Sequence, residues 1–71
     1  MKKFFGIVDV NGDLYQFADG EKFVSVSKIG SEEDAEKVAN IICNICNTFP
    51  VNEELKPYKV VAYERRNEHH A

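Results

Sequence analysis

The 71-residue sequence has no tryptophan, one methionine, two prolines and two cysteines. Two cysteines are too few for the disulfide framework that stabilises many small secreted domains. We therefore expect free thiols and a cytoplasmic location, where the environment is reducing. A chain of this length forms one domain, and its apolar fraction of 44% is too high for a disordered segment.

Long apolar runs and a surplus of basic charge are also missing. No run reaches the ~18 residues of a membrane-spanning helix, and Asp9, Asn11 and Asp13 interrupt the apolar start before a signal peptide could form. Nine basic residues stand against 12 acidic ones, which gives a net charge of −3. Nucleic-acid-binding domains usually carry excess positive charge. We therefore expect neither membrane insertion nor direct nucleic-acid binding.

Three short apolar runs separated by tight-turn signals predict an antiparallel meander. The runs are residues 3–10, 13–18 and 21–29, separated by Asn11-Gly12 and Asp19-Gly20. These dipeptides favour two-residue hairpin turns, whose central positions need positive φ.

A helix is predicted after the third run. Ser31 can cap its free amide groups, and acidic residues fill the first turn, where the helix dipole favours negative charge. Pro50 ends the helix near Thr48. The apolar stripe at helical spacing consists of Ala35, Val38, Ala39, Ile42, Ile45, Cys46 and Phe49, with Asn47 among the polar residues opposite.

A fourth strand over residues 58–64 completes an α+β fold of order β-β-β-α-β. We expect a four-stranded, mostly antiparallel sheet with one helix packed on one face. The first strand is apolar on both sides, which is typical of a central strand, so the predicted strand order is 4-1-2-3, with 1-2-3-4 as the alternative. A helical crossover would place the fourth strand parallel to the first. Residues 1–66 form the predicted domain and residues 67–71 a flexible tail.

Two-residue turns would fix the register and assign each side chain to a face of the sheet. The face under the helix is predicted to carry Phe4, Val8, Val10, Tyr15, Phe17, Val24 and Val26, with Phe17 lying across Gly6. The opposite face is predicted to carry Lys3, Phe5, Ile7, Asp9, Leu14, Gln16, Ala18, Phe23, Ser25 and Ser27.

On that second face, four apolar side chains have no predicted cover: Phe5, Ile7, Leu14 and Phe23. An uncovered apolar patch on a small monomer marks an interaction surface. The alternative is that strand twist, Lys3 and the polar tail shield it.

Cys43 and Cys46 form a C-x-x-C motif, which is a redox or zinc signal in other contexts. A reactive thiol needs the N-terminal end of a helix, whereas this motif lies near the C-terminal end. The adjacent His69 and His70 lack the spacing of zinc-finger ligands. Packing in the core is therefore the predicted role of the cysteines, with a thiol or metal site as the alternative. No cofactor is expected.

Other motifs also fall short of a chemical site. The segment 9–13 starts like a calcium loop, but Leu14 and Gly20 occupy positions where that loop needs glycine and glutamate. Lys3, Phe5 and Phe23 would imitate an RNA-stacking platform, but the acidic Asp9 shares their predicted face. No combination of residues typical of an active site is present in the sequence, so an enzyme is not expected.

Acidic residues cluster at the predicted helix start, with Glu32, Glu33 and Glu36 as the candidates for a second contact with a basic partner. The simpler interpretation is a charged first turn that complements the helix dipole.

Over residues 3–64 the chain resembles, in size, charge and element order, the small acidic proteins that phages and mobile elements direct against host machinery, including anti-CRISPR proteins. The resemblance implies a stoichiometric inhibitor of a larger host defence or nucleic-acid-handling protein. The prediction is thus a non-enzymatic protein-binding module, with a homodimer formed through the same sheet face as the alternative.

Overall fold

The structure, a computed structural model, describes residues 2–65. It confirms an α+β domain with one main helix. In chain order the elements are β1 (Lys2–Val8), β2 (Val24–Ser25), α1 (Val26–Ile29), α2 (Glu32–Thr48), a 3₁₀ turn (Glu53–Leu55) and β3 (Lys59–Arg65). Neither helix of the described range is long and apolar enough to cross a bilayer. The predicted tail, residues 67–71, lies outside that range.

The sheet has three antiparallel strands in the order β2-β1-β3, so the predicted four-stranded sheet is wrong. β1 and β3 pair along their full lengths, from Lys2 opposite Arg65 to Val8 opposite Lys59. β2 contributes two residue pairs to the other edge of β1. The last strand therefore lies beside the first, as predicted.

The second predicted strand, residues 13–18, forms no ladder and contributes a single bridge between Leu14 and Val8. The carboxylate of Asp9 accepts hydrogen bonds from the backbone N–H groups of Asn11 and Asp13, which widens the turn. The backbone N–H of Asp9 then bonds Asp13 O at 3.0 Å, where a two-residue turn would have paired Val10 with Asp13. The pairing is thereby shifted by one residue.

This shift reverses the faces of β1, because neighbouring side chains in a strand point to opposite sides. Tyr15 is bonded to Ile7 instead of facing Val8. Phe5 and Ile7, predicted on the uncovered face, are 3% and 0% exposed and pack in the core beneath α2. Phe4, predicted beneath the helix, lies on the opposite face.

The loss of one strand also reverses the direction of the last strand. β2 and β3 both run antiparallel to β1, so β3 is antiparallel to the first strand, not parallel as predicted. β2 and β3 are parallel to each other and flank β1, and the two helices connect them. The strand predicted within residues 21–29 is reduced to Val24–Ser25, because the chain continues as α1 after Ser25.

α2 begins and ends where the sequence predicts. The Ser31 hydroxyl accepts a hydrogen bond from the Asp34 N–H at 3.1 Å, and the helix ends at Thr48, two residues before Pro50. Its buried side chains are Ala35, Ala39, Cys43 and Cys46. Small residues along this line let the helix lie close to Phe5 and Ile7 of the sheet. Ile45 and Phe49, predicted in the core stripe, are exposed.

Candidate docking surface on the back of the sheet

The face of the sheet away from α2 carries a group of apolar side chains that we call the back-face cluster: Phe4, Leu14, Phe23 and Tyr63. Phe4 and Tyr63 are direct cross-strand partners on β1 and β3. Phe23 immediately precedes β2, and Leu14 comes from the bridge to Val8. Four separate parts of the chain therefore converge on this face.

Gly6 makes room for the cluster at its centre. A Cβ atom at this position would lie 2.7 Å from Leu14 Cδ2 and 3.0 Å from Tyr63 Cε2, closer than van der Waals contact allows. The sequence predicts that Phe17 lies across Gly6. Leu14, Tyr63 and Phe23 take that place instead, and Phe17 packs against the core on the helix side.

The aromatic ring of Phe23 packs edge to face on Tyr63 and at a tilted angle on Phe4. The ring centroids of Phe23 and Tyr63 are 5.5 Å apart at 82°, and those of Phe4 and Phe23 are 5.8 Å apart at 60°. These separations and angles are favourable for aromatic pairs. Phe23 remains 39% exposed and Tyr63 36% exposed. The rings are thus held in place by each other while much of their surface stays open to solvent.

A cleft of about 230 Å³ is lined by Phe4, Phe23, Tyr63 and Glu64. A second cleft of about 290 Å³ adjoins Phe4 and Phe23, and its polar lining is Glu21, Lys22, Ser25, Ser27 and Lys28. Both volumes are below the ~300–1,000 Å³ of typical small-molecule pockets. An apolar centre with a polar rim of mixed charge is the usual anatomy of a protein–protein interface.

The acidic residues at the helix start lie on the other layer of the molecule. Glu32 pairs with Lys3 at 2.8 Å, and Glu33 approaches Lys37 at 3.7 Å, while Glu36 is exposed. The hydrogen bond to Glu32 raises the pKa of Lys3. Two of the three carboxylates therefore already face lysines of this chain.

The sequence identified half of the cluster. Leu14 and Phe23 belong to it, whereas Phe5 and Ile7 are buried under α2 and are not available to a partner. Phe4 and Tyr63 were missed as members. The sequence alone does not mark them, because Phe4 and Phe5 are adjacent and only the observed pairing assigns Phe4 and Tyr63 to the back face.

Cys43 and Cys46 are free and buried in the core. Burial raises the pKa of both thiols, which disfavours the reactive thiolate. Across residues 2–65, no three or more His, Cys, Asp and Glu side chains are grouped in a way that could hold a metal ion. His69 and His70 lie outside the described residues. Both cysteines therefore pack in the hydrophobic core.

Residues 9–13, which resemble the start of a calcium loop, form a turn in which the Asp9 carboxylate accepts backbone hydrogen bonds. Asp9 Oδ1 accepts backbone hydrogen bonds from Asn11 at 2.8 Å and Asp13 at 3.1 Å. Gly12 supplies the positive φ of 87° that the turn needs. The carboxylate thus has a structural explanation.

Comparisons of the chain with protein-family models, with curated proteins and with solved structures found no match.

Proposed function

We propose that this protein is a non-enzymatic binding module whose back-face cluster docks onto a larger protein. The observation that carries the proposal is the Phe23 ring packed against both Phe4 and Tyr63 on the side of the sheet away from α2. Aromatic side chains held rigidly lose little entropy on binding and are enriched among the residues that dominate interface energies.

The partner class follows from the chemistry of the rim. Lys22, Lys28, Glu21 and Glu64 place both signs of charge around the rings. Such a rim fits a protein surface with an apolar pocket and mixed charges. The resemblance to anti-defence proteins suggests a host defence or nucleic-acid-handling protein as the target, inhibited by occupation of a site at one-to-one stoichiometry.

Single-stranded nucleic acid is the competing ligand, because bases also stack on exposed rings of a sheet. That mode needs a positively charged groove for the phosphates. The net charge of −3 and the acidic side chains of Glu21 and Glu64 beside the rings favour a protein partner instead.

The test compares wild type with Phe23→Asp in affinity capture from extract of the native cell, followed by titration with the purified captured protein. Val10→Asp is the matched control, because Val10 is also an exposed apolar residue outside the cluster. We expect wild type and V10D to bind at one-to-one stoichiometry and F23D to bind at least tenfold more weakly. Circular dichroism establishes that all three proteins are folded.

Full binding by folded F23D would overturn the assignment of this surface. Equal loss of binding in V10D would show that the effect is not specific to the cluster. Fluorescence anisotropy with a labelled single-stranded RNA is the second measurement, and tight binding that weakens steeply with salt would replace the protein partner by nucleic acid.

A further inference from the structure

The second half of α2 and the loop after it expose four large apolar side chains, which we call the helix stripe: Ile41, Ile45, Phe49 and Val51. Their exposed fractions are 59%, 55%, 77% and 84%. Ile41, Ile45 and Phe49 follow at intervals of four residues, so they line one side of the helix and its cap. The stripe belongs to the helical layer, whereas the back-face cluster lies on the far side of the sheet.

The stripe lies in a part of the chain without charge. Residues 38–52 contain no Asp, Glu, Lys or Arg, although 30% of the chain is charged. The exposed polar residues of the helix that border the stripe are neutral, namely Asn44 and Thr48. A partner surface for this stripe therefore needs apolar groups and neutral hydrogen-bonding groups, and this is what the stripe itself offers.

The exposed area fits a weak homodimer. At these exposures the four side chains leave roughly 450 Å² of apolar surface open, within the range at which a patch on a monomer is functional. Two stripes facing each other would bury at most about 900 Å², below the ~1,200 Å² at which standard stable interfaces begin and in the range of weak, reversible association.

We propose that a second copy of this chain covers the helix stripe, with the two α2 helices antiparallel across a two-fold axis near Ile45. A two-fold interface requires one patch to be self-complementary. In this arrangement Ile45 lies against its symmetry mate, and Ile41 lies against Phe49 of the other copy.

Charge selects the antiparallel arrangement. Each first turn carries Glu32, Glu33 and Asp34, and parallel helices would place these two acidic turns side by side. In the antiparallel pair, Glu33 is twelve residues from the axis in each copy, so the two acidic turns are separated by about 36 Å at 1.5 Å per residue. That exceeds the ~8–10 Å over which charges interact at physiological salt. Both back-face clusters remain free, so this inference stands independently of the proposed function.

Analytical ultracentrifugation from about 1 µM to 1 mM tests the proposal with wild type, Ile45→Glu and the control Asn40→Glu. Asn40 is exposed on the same helix but outside the stripe. Twice the chain mass of 8.1 kDa gives 16.2 kDa for the dimer. We expect wild type and N40E to approach 16.2 kDa at the higher concentrations and folded I45E to associate at least tenfold more weakly.

A wild type that stays monomeric to 1 mM, or an I45E variant that dimerises like wild type, would overturn the proposal. A dimer that survives I45E but dissociates in Phe23→Asp would instead assign self-association to the sheet face. The orientation is tested with Ile45→Cys and Asp34→Cys, using diamide as the thiol oxidant, because Asp34 lies in the acidic first turn on the same side of the helix as Ile45. Cross-linking of I45C but not of D34C supports antiparallel helices, whereas efficient cross-linking of D34C contradicts them.

Discussion

Asn47 is the side chain that ties α2 to the start of β3. Its Oδ1 accepts a hydrogen bond from the Tyr58 N–H at 2.7 Å, and its Nδ2 donates to Tyr58 O at 3.1 Å. Helical spacing predicts Asn47 on the polar side, yet it is half-buried because the chain returns beside it eleven residues later. One side chain thus satisfies both backbone groups of a buried residue.

Asn47→Ala should therefore lower the free energy of unfolding by about 2–3 kcal/mol, because two partly buried backbone groups lose their partners. Urea denaturation measures the change. Asn44→Ala is the matched control, since Asn44 is exposed on the same helix and alanine is a better helix former. Similar stabilities of N47A and N44A would contradict the role assigned to Asn47.

Because of its two buried cysteines, we predict that the protein loses stability at alkaline pH. Burial raises the pKa of Cys43 and Cys46 in the folded chain, whereas the unfolded chain ionises its thiols near the ordinary value of 9.0. As the pH rises through that value, the unfolded state loses thiol protons first and is stabilised relative to the folded state. Below about pH 8 both states keep these protons and the thiols add no pH dependence.

We expect the free energy of unfolding to be steady between about pH 6 and 8 and to fall as the pH rises above about 9. Tyr58 contributes in the same direction, because desolvation raises its pKa as well. Urea titrations at each pH measure the slope. The double variant Cys43→Ala/Cys46→Ala should have a shallower slope above pH 9, and an identical slope would exclude the thiols as its cause.

At the scale of elements, local signals predicted α2 correctly because its determinants are local. The Ser31 cap, the acidic first turn and Pro50 act within a few residues of the helix ends. The apolar run of β1 was likewise sufficient to place a strand. In both cases the residues that determine the element lie within the element or next to its ends.

The register of the sheet could not be predicted from local residue patterns, because it depends on two specific hydrogen-bonding interactions. The Asp9 carboxylate widens the first turn by one residue, and the N–H of Val10 bonds Leu55 O from a segment 45 residues away. A shift of one residue exchanges the faces of a strand. Half of the predicted anchor was therefore wrong, although the existence of an apolar sheet face was anticipated.

At the scale of the molecule, the described residues form two layers around one core. β1 lies between the other two strands and also contacts both helices, so each element depends on the same central strand. Ile7 is the large side chain with no exposed surface in this core. An architecture with one shared core should unfold as a single cooperative unit.

Ile7→Ala tests this cooperativity, because it creates a cavity where the sheet meets α2. The loss should be about 2–5 kcal/mol, a large fraction of the ~5–15 kcal/mol that stabilises a typical domain. Far-UV circular dichroism follows the helix, and the near-UV signal follows the tyrosines, including Tyr63 on the far face. We expect both transitions to move together to lower urea concentration in I7A, whereas Val10→Ala, at an exposed site, changes neither transition by much.

A helix signal that persists to higher urea concentration than the tyrosine signal would mean that the two layers unfold separately. The back-face cluster would then be a local structure instead of one held in place by the core.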